Sequence, residues 1–493
     1  MTMPNRRTLP RPNRRTLPSQ RMLHSDAFAW YMEKDPVLRS TLVAIARLDR
    51  SPDWAQLKSR IDRLTRLVPP LRMCVQAPPL RVGPPRWTVD ASFDLDFHLR
   101  RARIAEPAGW PEVVEFARTA AMESFDRDRP LWVFTLLDGM ADGGAAAVMK
   151  LHHSLTDGIG GIQLAGLVLD PGPDSPPLDA MPAQPQGRQL STLELTTRSL
   201  GDDLAEAANA AGRIVRALPG ATVKSILDPV GAAKAALDTT VSVGRIVRPI
   251  NRQASTVLGA RCTGRVLSTM DVPFADLHTA ATVGGGRLND AYLAALVGGM
   301  HRYHQRSGGQ LPQMRVTVPV SIRDGNDPIG GNRITLIRVK VPASIDEPAE
   351  RIRRIAQIMR RWQGESALGH TQEIAFGLNL LPRPYLGGIF KRVELLASDV
   401  PGVPQPMWLA GARVVGYYAF GPTIGSGLNA TLMSYAGTCN VGINVDTGAV
   451  DDPQAMLECV REGFAEVLAL ARPGRNGRRP KASANGRRLV PAS

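Results

Sequence analysis

The sequence predicts a mixed α/β fold in two domains, and three observations carry that prediction. The chain has 493 residues, about twice the length at which one hydrophobic core stops growing. Apolar residues make up 43% of it, enough to fill two cores. Strand-like, β-branched stretches alternate with stretches of helical spacing on either side of a proline-rich break.

The ends stand apart from this body. Residues 1–21 hold Arg6, Arg7, Arg11, Arg14, Arg15 and Arg21 without an acid, and residues 472–493 hold Arg472, Arg475, Arg478, Arg479, Lys481, Arg487 and Arg488, again without one. Of the net +15, only +2 is left for the body between them. Both ends, rich in Pro, Gly, Asn and Ser, read as disordered basic tails. A near-neutral body leaves no electrostatic footprint for nucleic acid, so no nucleic-acid partner is expected. PNRRTLP recurs at 4–10 and 12–18; it reads as a solvated arm, with contact to acidic lipid as the functional alternative.

The first domain is expected over residues 22–170. Thr41–Leu48, Leu131–Leu137 and Ala145–Leu151 have the character of strands. A helix is expected from Asp53 through Trp54, Leu57, Ile61, Leu64 and Leu67, closed by Pro69 and Pro70, which cannot continue it. Residues 170–189, DPGPDSPPLDAMPAQPQGRQ, are too rich in proline for regular structure and introduce a linker over 171–262. Residues 190–250 are Ala-rich with thin apolar faces, which suits connector helices; Ile214, Val215 and Leu218 beside Arg213 and Arg216 would also suit an anionic lipid interface. The second domain, 263–471, is expected to open near Thr263 with the strand-like GRVLSTMDVP. A helix from Asn289, strands at Met314–Ile322 and Ile334–Val341, a helix through Arg351–Trp362 and a closing strand pair at Val414–Phe420 and Leu428–Val445 follow.

Cys74, Cys262, Cys439 and Cys459 form no CxxC pair and read as free thiols in a reducing compartment. No apolar stretch approaches the roughly 18 to 20 residues that span a bilayer, and no apolar core follows the basic N-terminus. A cytoplasmic protein, soluble or peripheral, is expected.

Chemistry concentrates at His152, His153, Ser154, Leu155, Thr156, Asp157 and Gly158, which read HHxxxDG in a chain with eight histidines. AAAVMKL before the pair is strand-like, and GIGGIQL after it opens a helix. Neighbouring residues on a strand point to opposite faces, so only one His can face a given cavity. An imidazole titrating near neutrality can take a proton from a hydroxyl as a carbonyl is attacked. Asp157 suits holding the loop. No GxSxG provides a serine nucleophile, which favours direct transfer without an acyl-enzyme. His301 and His304, at i, i+3 near a helix end, lack a third ligand, and no metal is expected.

HHSLTDG resembles the active-site motif of acyl-CoA-dependent acyltransferases related to chloramphenicol acetyltransferase. RPLW at Arg129–Trp132, Asn289-Asp290, VPVSIRD at 318–324, GGNRIT at 330–335 and LNATLMSYAGTCNVGINVD at 428–446 are similar to segments of the bacterial wax ester synthase/diacylglycerol acyltransferase family. The resemblance runs from about Met22 to Ala471. One departure stands out: an SNVPGP-like segment becomes Ser398-Asp399-Val400-Pro401-Gly402-Val403, losing an amide side chain.

The resemblance implies two similar chloramphenicol acetyltransferase-like α/β domains with the active site between them. It implies that His153 is the general base, that His152 and Gly158 shape the loop, and that Asp157 orients it through an ion pair, with Arg323 the candidate partner. Asn289 is a candidate to steady the chamber or the oxyanion, or simply to cap its helix. Pro130, Leu131 and Trp132 read as packing. The implied substrates are acyl-CoA and diacylglycerol or a long-chain alcohol, met at the inner membrane face or a lipid-droplet surface, with no cofactor. A carrier-protein-dependent condensation-type enzyme and a non-catalytic lipid-binding paralogue are the rival readings. No motif reports an oligomeric state.

Overall fold

A computed structural model of the protein describes residues 14–79, 83–174, 180–205, 208, 250, 253–323, 327, 330–363, 375, 378–379 and 383–472. Most of the expected connector helices, including Arg213–Leu218, and nearly all of the C-terminal tail lie outside the described residues.

The strands of the two large sheets, in chain order, are β1 (Thr41–Leu48), β2 (Leu99–Arg103), β3 (Trp132–Asp138), β4 (Ala145–His152), β5 (Arg265–Pro273), β6 (Gln313–Ser321), β7 (Ile334–Pro342), β8 (Val393–Val400), β9 (Trp408–Leu409), β10 (Ala412–Phe420), β11 (Ser426–Tyr435) and β12 (Thr438–Asp446). Sheet one runs β9-β10-β1-β4-β3-β2, and sheet two β5-β12-β11-β8-β6-β7. The main helices are α1 (His24–Met32), α2 (Trp54–Leu67), α3 (Trp110–Met122), α4 (Gly158–Gly166), α5 (Phe274–Val283), α6 (Leu288–Arg306), α7 (Pro348–Gln363), α8 (Arg383–Phe390) and α9 (Pro453–Leu468). The local signals explain α2 well: Asp53 Oδ1 accepts from Gln56 N at 2.8 Å, Leu57 and Ile61 are buried, and prolines follow its end.

The expected closing strand pair is split between the sheets. β10 pairs antiparallel with β1, from Val414 opposite Leu48 to Phe420 opposite Val43, while β11 and β12 pair within sheet two. Asparagines fasten the crossing strand. Asn440 Oδ1 accepts from Tyr417 N at 3.1 Å, Asn444 Nδ2 donates to Gly421 O at 3.0 Å, and Asn429 Nδ2 donates to Pro422 O at 2.8 Å. A Cβ at Gly442 would lie 2.1 Å from Ala419 O, so β12 can approach β10 only with glycine there. The LNATLMSYAGTCNVGINVD segment is thus the clamp between the halves.

Two expectations of disorder are corrected. Arg14–Thr16, inside the expected tail, pairs in parallel with Gln184–Gln186, inside the expected structureless linker, and Gln20–Arg21 pairs with Arg86–Trp87. Proline-rich chain is excluded from central strands but tolerated in an edge ladder that leaves its missing N–H outward. Composition reads each segment alone and misses such a partner.

Candidate active site

Alternation along β6, β8 and β11 separates two environments. Val316, Val318, Leu395, Ala397, Leu428, Ala430 and Leu432 join α5, α6, α7 and α9 in one core. Their neighbours Thr317, Pro319, Leu396, Ser398, Val400, Asn429, Thr431 and Met433 line a cavity of about 280 Å³ between the sheets. The facing wall comes from α1 (Ser25, Phe28, Ala29, Met32), Leu42 and Ala44 of β1, Leu151, His153 and the start of α4. The chamber is largely apolar, which suits a ligand with apolar surface.

The histidine pair ends β4, and its side chains part. His153 lines the chamber while its N–H donates to Ser40 O at 2.9 Å. Burial pulls its imidazole down to about 4, against the opposing pull of the Asp157 carboxylate and with the adjacent His152 ring adding slightly to the shift. The ring is therefore neutral near pH 7, the form a base needs. Among the described residues its buried Nδ1 has no hydrogen-bond partner.

His152 points away, into full burial. Its Nδ1 accepts from Ser154 N at 3.1 Å and sits 2.7 Å from Ser154 Oγ. Nε2 lies 3.4 Å from Glu33 Oε2, and Trp30 and Phe125 meet the ring edge-on at centroid distances of 6.2 and 6.0 Å. Glu33 Oε2 also accepts from Ser40 N at 2.9 Å, so one carboxylate touches both the His152 ring and the residue whose carbonyl holds His153. Burial pushes the Glu33 carboxyl upward, yet the His152 contact, the Ser40 N–H and the charge of Arg39 hold it below its ordinary value. Sequence reasoning missed Glu33, whose only signal was an acid directly after the apolar run of α1.

Asp157 caps α4, accepting from Gly160 N at 2.7 Å, and is essentially buried at 1% exposure. Arg323 Nη2 lies 3.1 Å from its Oδ2, and Arg333 N donates to the same oxygen at 2.7 Å. Arg323 Nη2 also donates to Gly330 O and Gly331 O, both at 2.9 Å. The histidine loop is thereby tied to the GGNRIT segment of sheet two. Gly158 must be glycine for this packing, since a Cβ there would lie 2.6 Å from Val400 Cγ2. Beside the same loop sits buried Asp26, another residue the sequence did not flag. Burial and the Asp157 charge push its carboxyl well up, against Asn332 and Arg333.

Asn289 is a correction. It is absent from the chamber lining and lies in the first turn of α6, whose core is the one on the opposite face of sheet two. Nor does it cap the helix: Arg287 occupies the cap position, and Asp290 Oδ2 accepts from Arg287 N at 2.8 Å. The local signal of a helix start was sound; the face of the sheet on which that helix lies is a tertiary property. Leu131 and Trp132 are buried, with Trp132 Nε1 donating to Leu71 O at 2.7 Å. His304 is also buried, its ring nitrogens on Ser255 Oγ at 2.6 Å and Met300 O at 2.7 Å. All four cysteines are free thiols.

The model of the wax ester synthase/diacylglycerol acyltransferase catalytic domain matches residues 22–292, and that of the same family's C-terminal domain matches 330–467. A protein of Mycobacterium tuberculosis (strain ATCC 25618 / H37Rv) bearing the name diacylglycerol O-acyltransferase is 36% identical over 447 residues, covering 89% of this chain and 90% of its own. A second from that strain, bearing the same activity name, is 26% identical over 485 residues, covering 92% and 98%. Among solved structures, the wax ester synthase/diacylglycerol acyltransferase from Marinobacter aquaeolei VT8 shares the fold with a TM-score of 0.61 at 20% identity, covering 92% of this chain and 99% of that one. The first condensation domain of the calcium-dependent antibiotic synthetase, at 14% identity, gives 0.60, covering 92% and 96%.

Proposed function

Because the chain belongs to the wax ester synthase/diacylglycerol acyltransferase family of acyltransferases, we propose that it transfers a long-chain acyl group from acyl-CoA to diacylglycerol, forming triacylglycerol, with wax ester formation from long-chain alcohols as a second activity. One observation carries this reading: a neutral, buried His153 faces an apolar chamber between the two sheets. In the proposed reaction His153 takes the acceptor hydroxyl proton, the oxygen attacks the thioester carbon, and the departing CoA thiolate receives that proton. Atoms balance with ester and CoA thiol as products, without a cofactor or an acyl-enzyme. His152, Glu33, Asp157 and Arg323 do not enter the chemistry; they hold the loop that presents His153.

Access to lipid is proposed to be peripheral, from the cytoplasmic side. Among the described residues no helix is long and apolar enough to cross a membrane. A condensation-type reaction remains the second reading on the shared fold alone; the matches to both family domains weigh against it.

The test is to incubate purified protein with palmitoyl-CoA and follow thiol release with and without diacylglycerol, and with hexadecanol. Acceptor-dependent thiol release with triacylglycerol as product is expected. Binding of acyl-CoA without release would instead indicate a lipid-binding paralogue, and transfer only from a carrier-bound thioester would indicate a condensation enzyme.

A further inference from the structure

The residue beside His153 on sheet one offers the chamber a hydroxyl. Thr41 of β1 pairs with His152 of β4, so the next antiparallel pair is Ser40 with His153, and His153 N donates to Ser40 O at 2.9 Å. Paired residues project to the same face with Cβ atoms about 5 Å apart. Both line the chamber. Resting on the acyl transfer proposed above, we infer that the Ser40 hydroxyl distinguishes a glycerolipid acceptor from a plain long-chain alcohol, by donating a hydrogen bond to the ester carbonyl next to the reacting hydroxyl of diacylglycerol.

The backbone of Ser40 is committed and its side chain is not. Its N–H donates to Glu33 Oε2 at 2.9 Å and its carbonyl holds His153, which fixes the residue from both sides. Ser40 Oγ has no hydrogen bond among the described residues, so its hydrogen is available to a ligand. The hydroxyls of the histidine loop are engaged: Ser154 Oγ lies 2.7 Å from His152 Nδ1, and Thr156 Oγ1 donates to Asp157 O at 3.0 Å. An acceptor that brings its hydroxyl to His153 brings the atoms bonded to that carbon beside Ser40. In 1,2-diacylglycerol the adjoining carbon carries an ester, whose carbonyl oxygen accepts a hydrogen bond and cannot donate one; in a long-chain alcohol the adjoining carbons are methylenes. The wall around Ser40 is otherwise Leu42, Ala44 and Leu151, and an ester carbonyl desolvated against it needs a donor. A methylene gives the hydroxyl nothing and leaves it unpaired, so one residue favours the glycerolipid and disfavours the alcohol. Ser40 takes no part in bond making or breaking.

The experiment gives the full-length protein palmitoyl-CoA and three acceptors: 1,2-dioleoylglycerol, hexadecanol, and the diether 1,2-dioleylglycerol, which keeps the reacting hydroxyl and both chains but lacks the carbonyls. Wild type, Ser40→Ala and Ser40→Thr are compared by kcat/KM for each acceptor. Wild type should prefer the diester to the diether by about tenfold. Ser40→Ala should lose about tenfold on the diester, with the diether and hexadecanol within about threefold of wild type and Tm unchanged, so that the preference disappears. Ser40→Thr retains a hydroxyl and should retain the preference. Equal use of diester and diether by wild type, a preference that survives in Ser40→Ala, equal losses on all three acceptors, or a Ser40→Thr protein that behaves as Ser40→Ala would each overturn the inference. The two levels separate at the wild type: transfer to none of the three acceptors rejects the acyl-transfer reading and the inference with it, whereas an active wild type whose preference Ser40→Ala leaves in place rejects the inference alone.

Discussion

The two faces of sheet one at the end of β4 treat adjacent histidines in opposite ways. Behind the strand, His152 has its Nδ1 on Ser154, its Nε2 against Glu33 and aromatic rings around it. In front, His153 has an Nδ1 without a hydrogen-bond partner among the described residues and a neutral ring facing an apolar chamber. A ring held by Ser154, set beside a carboxylate and packed among aromatic rings is fixed in orientation; a ring facing an open chamber has room for a reacting partner. On the proposed mechanism the motif uses two histidines because one anchors the loop and the other serves as the base.

Removing the proposed base should show the largest effect. His153→Ala is expected to lower turnover about 10²- to 10⁴-fold with the fold intact; an equal, small loss in His152→Ala and His153→Ala would erase the distinction between the faces. The pH behaviour sharpens it. Burial lowers the His153 folded value to about 4 from the usual 6.5, so the unfolded chain binds more protons between these values. Stability from this group is full above about 6.5 and falls as pH drops towards 4. His153→Ala should therefore lose less stability than wild type between pH 7 and 5, measured by urea unfolding.

Next in size, Asp157→Asn should lose Tm and turnover together. It can still cap α4 but no longer pairs with Arg323, and breaking a buried ion pair costs roughly 3–5 kcal/mol. Normal melting with abolished turnover would make Asp157 a proton carrier instead. His152→Ala and Glu33→Ala should each cost about 1–3 kcal/mol by leaving a buried partner unsatisfied, and each should lower turnover less than His153→Ala. Additivity in the double variant, tested by melts, would show that the two do not interact.

The smallest effect is expected at the departure from the family pattern. Burial pushes Asp399 up to about 6, above the usual value near 3.8. A carboxyl raised on folding has its full stability at low pH and loses it as pH rises through 6. Asp399→Asn should thus leave stability near wild type at pH 4 and raise it by roughly 1–2 kcal/mol at pH 8. No gain at pH 8 would mean that the carboxylate is satisfied where it lies.

What could be read in advance was local or carried by a motif. HHxxxDG puts the histidine pair, the cap Asp157 and the obligatory Gly158 within seven residues, where strand alternation and helix capping decide their roles. Arg323 was named only through the family resemblance, being 166 residues from its partner. Glu33, 119 residues before His152, belongs to no motif and escaped notice. Asn289 was misplaced because a motif marks a helix start without marking the face of the sheet. The ladder of Arg14–Thr16 on Gln184–Gln186 was hidden because each strand has the composition of a linker.

The crossing of β10 sets a timetable for the nascent chain. β1 emerges first, but its partner Ala412–Phe420 is made about 360 residues later, which at 5–20 residues per second is roughly 20–70 s of translation. During that interval the amide edge of β1 has no permanent neighbour and is open to any passing strand. Sheet one, although encoded first, is completed almost last, so a ribosome stalled before codon 412 would release a first half unable to close.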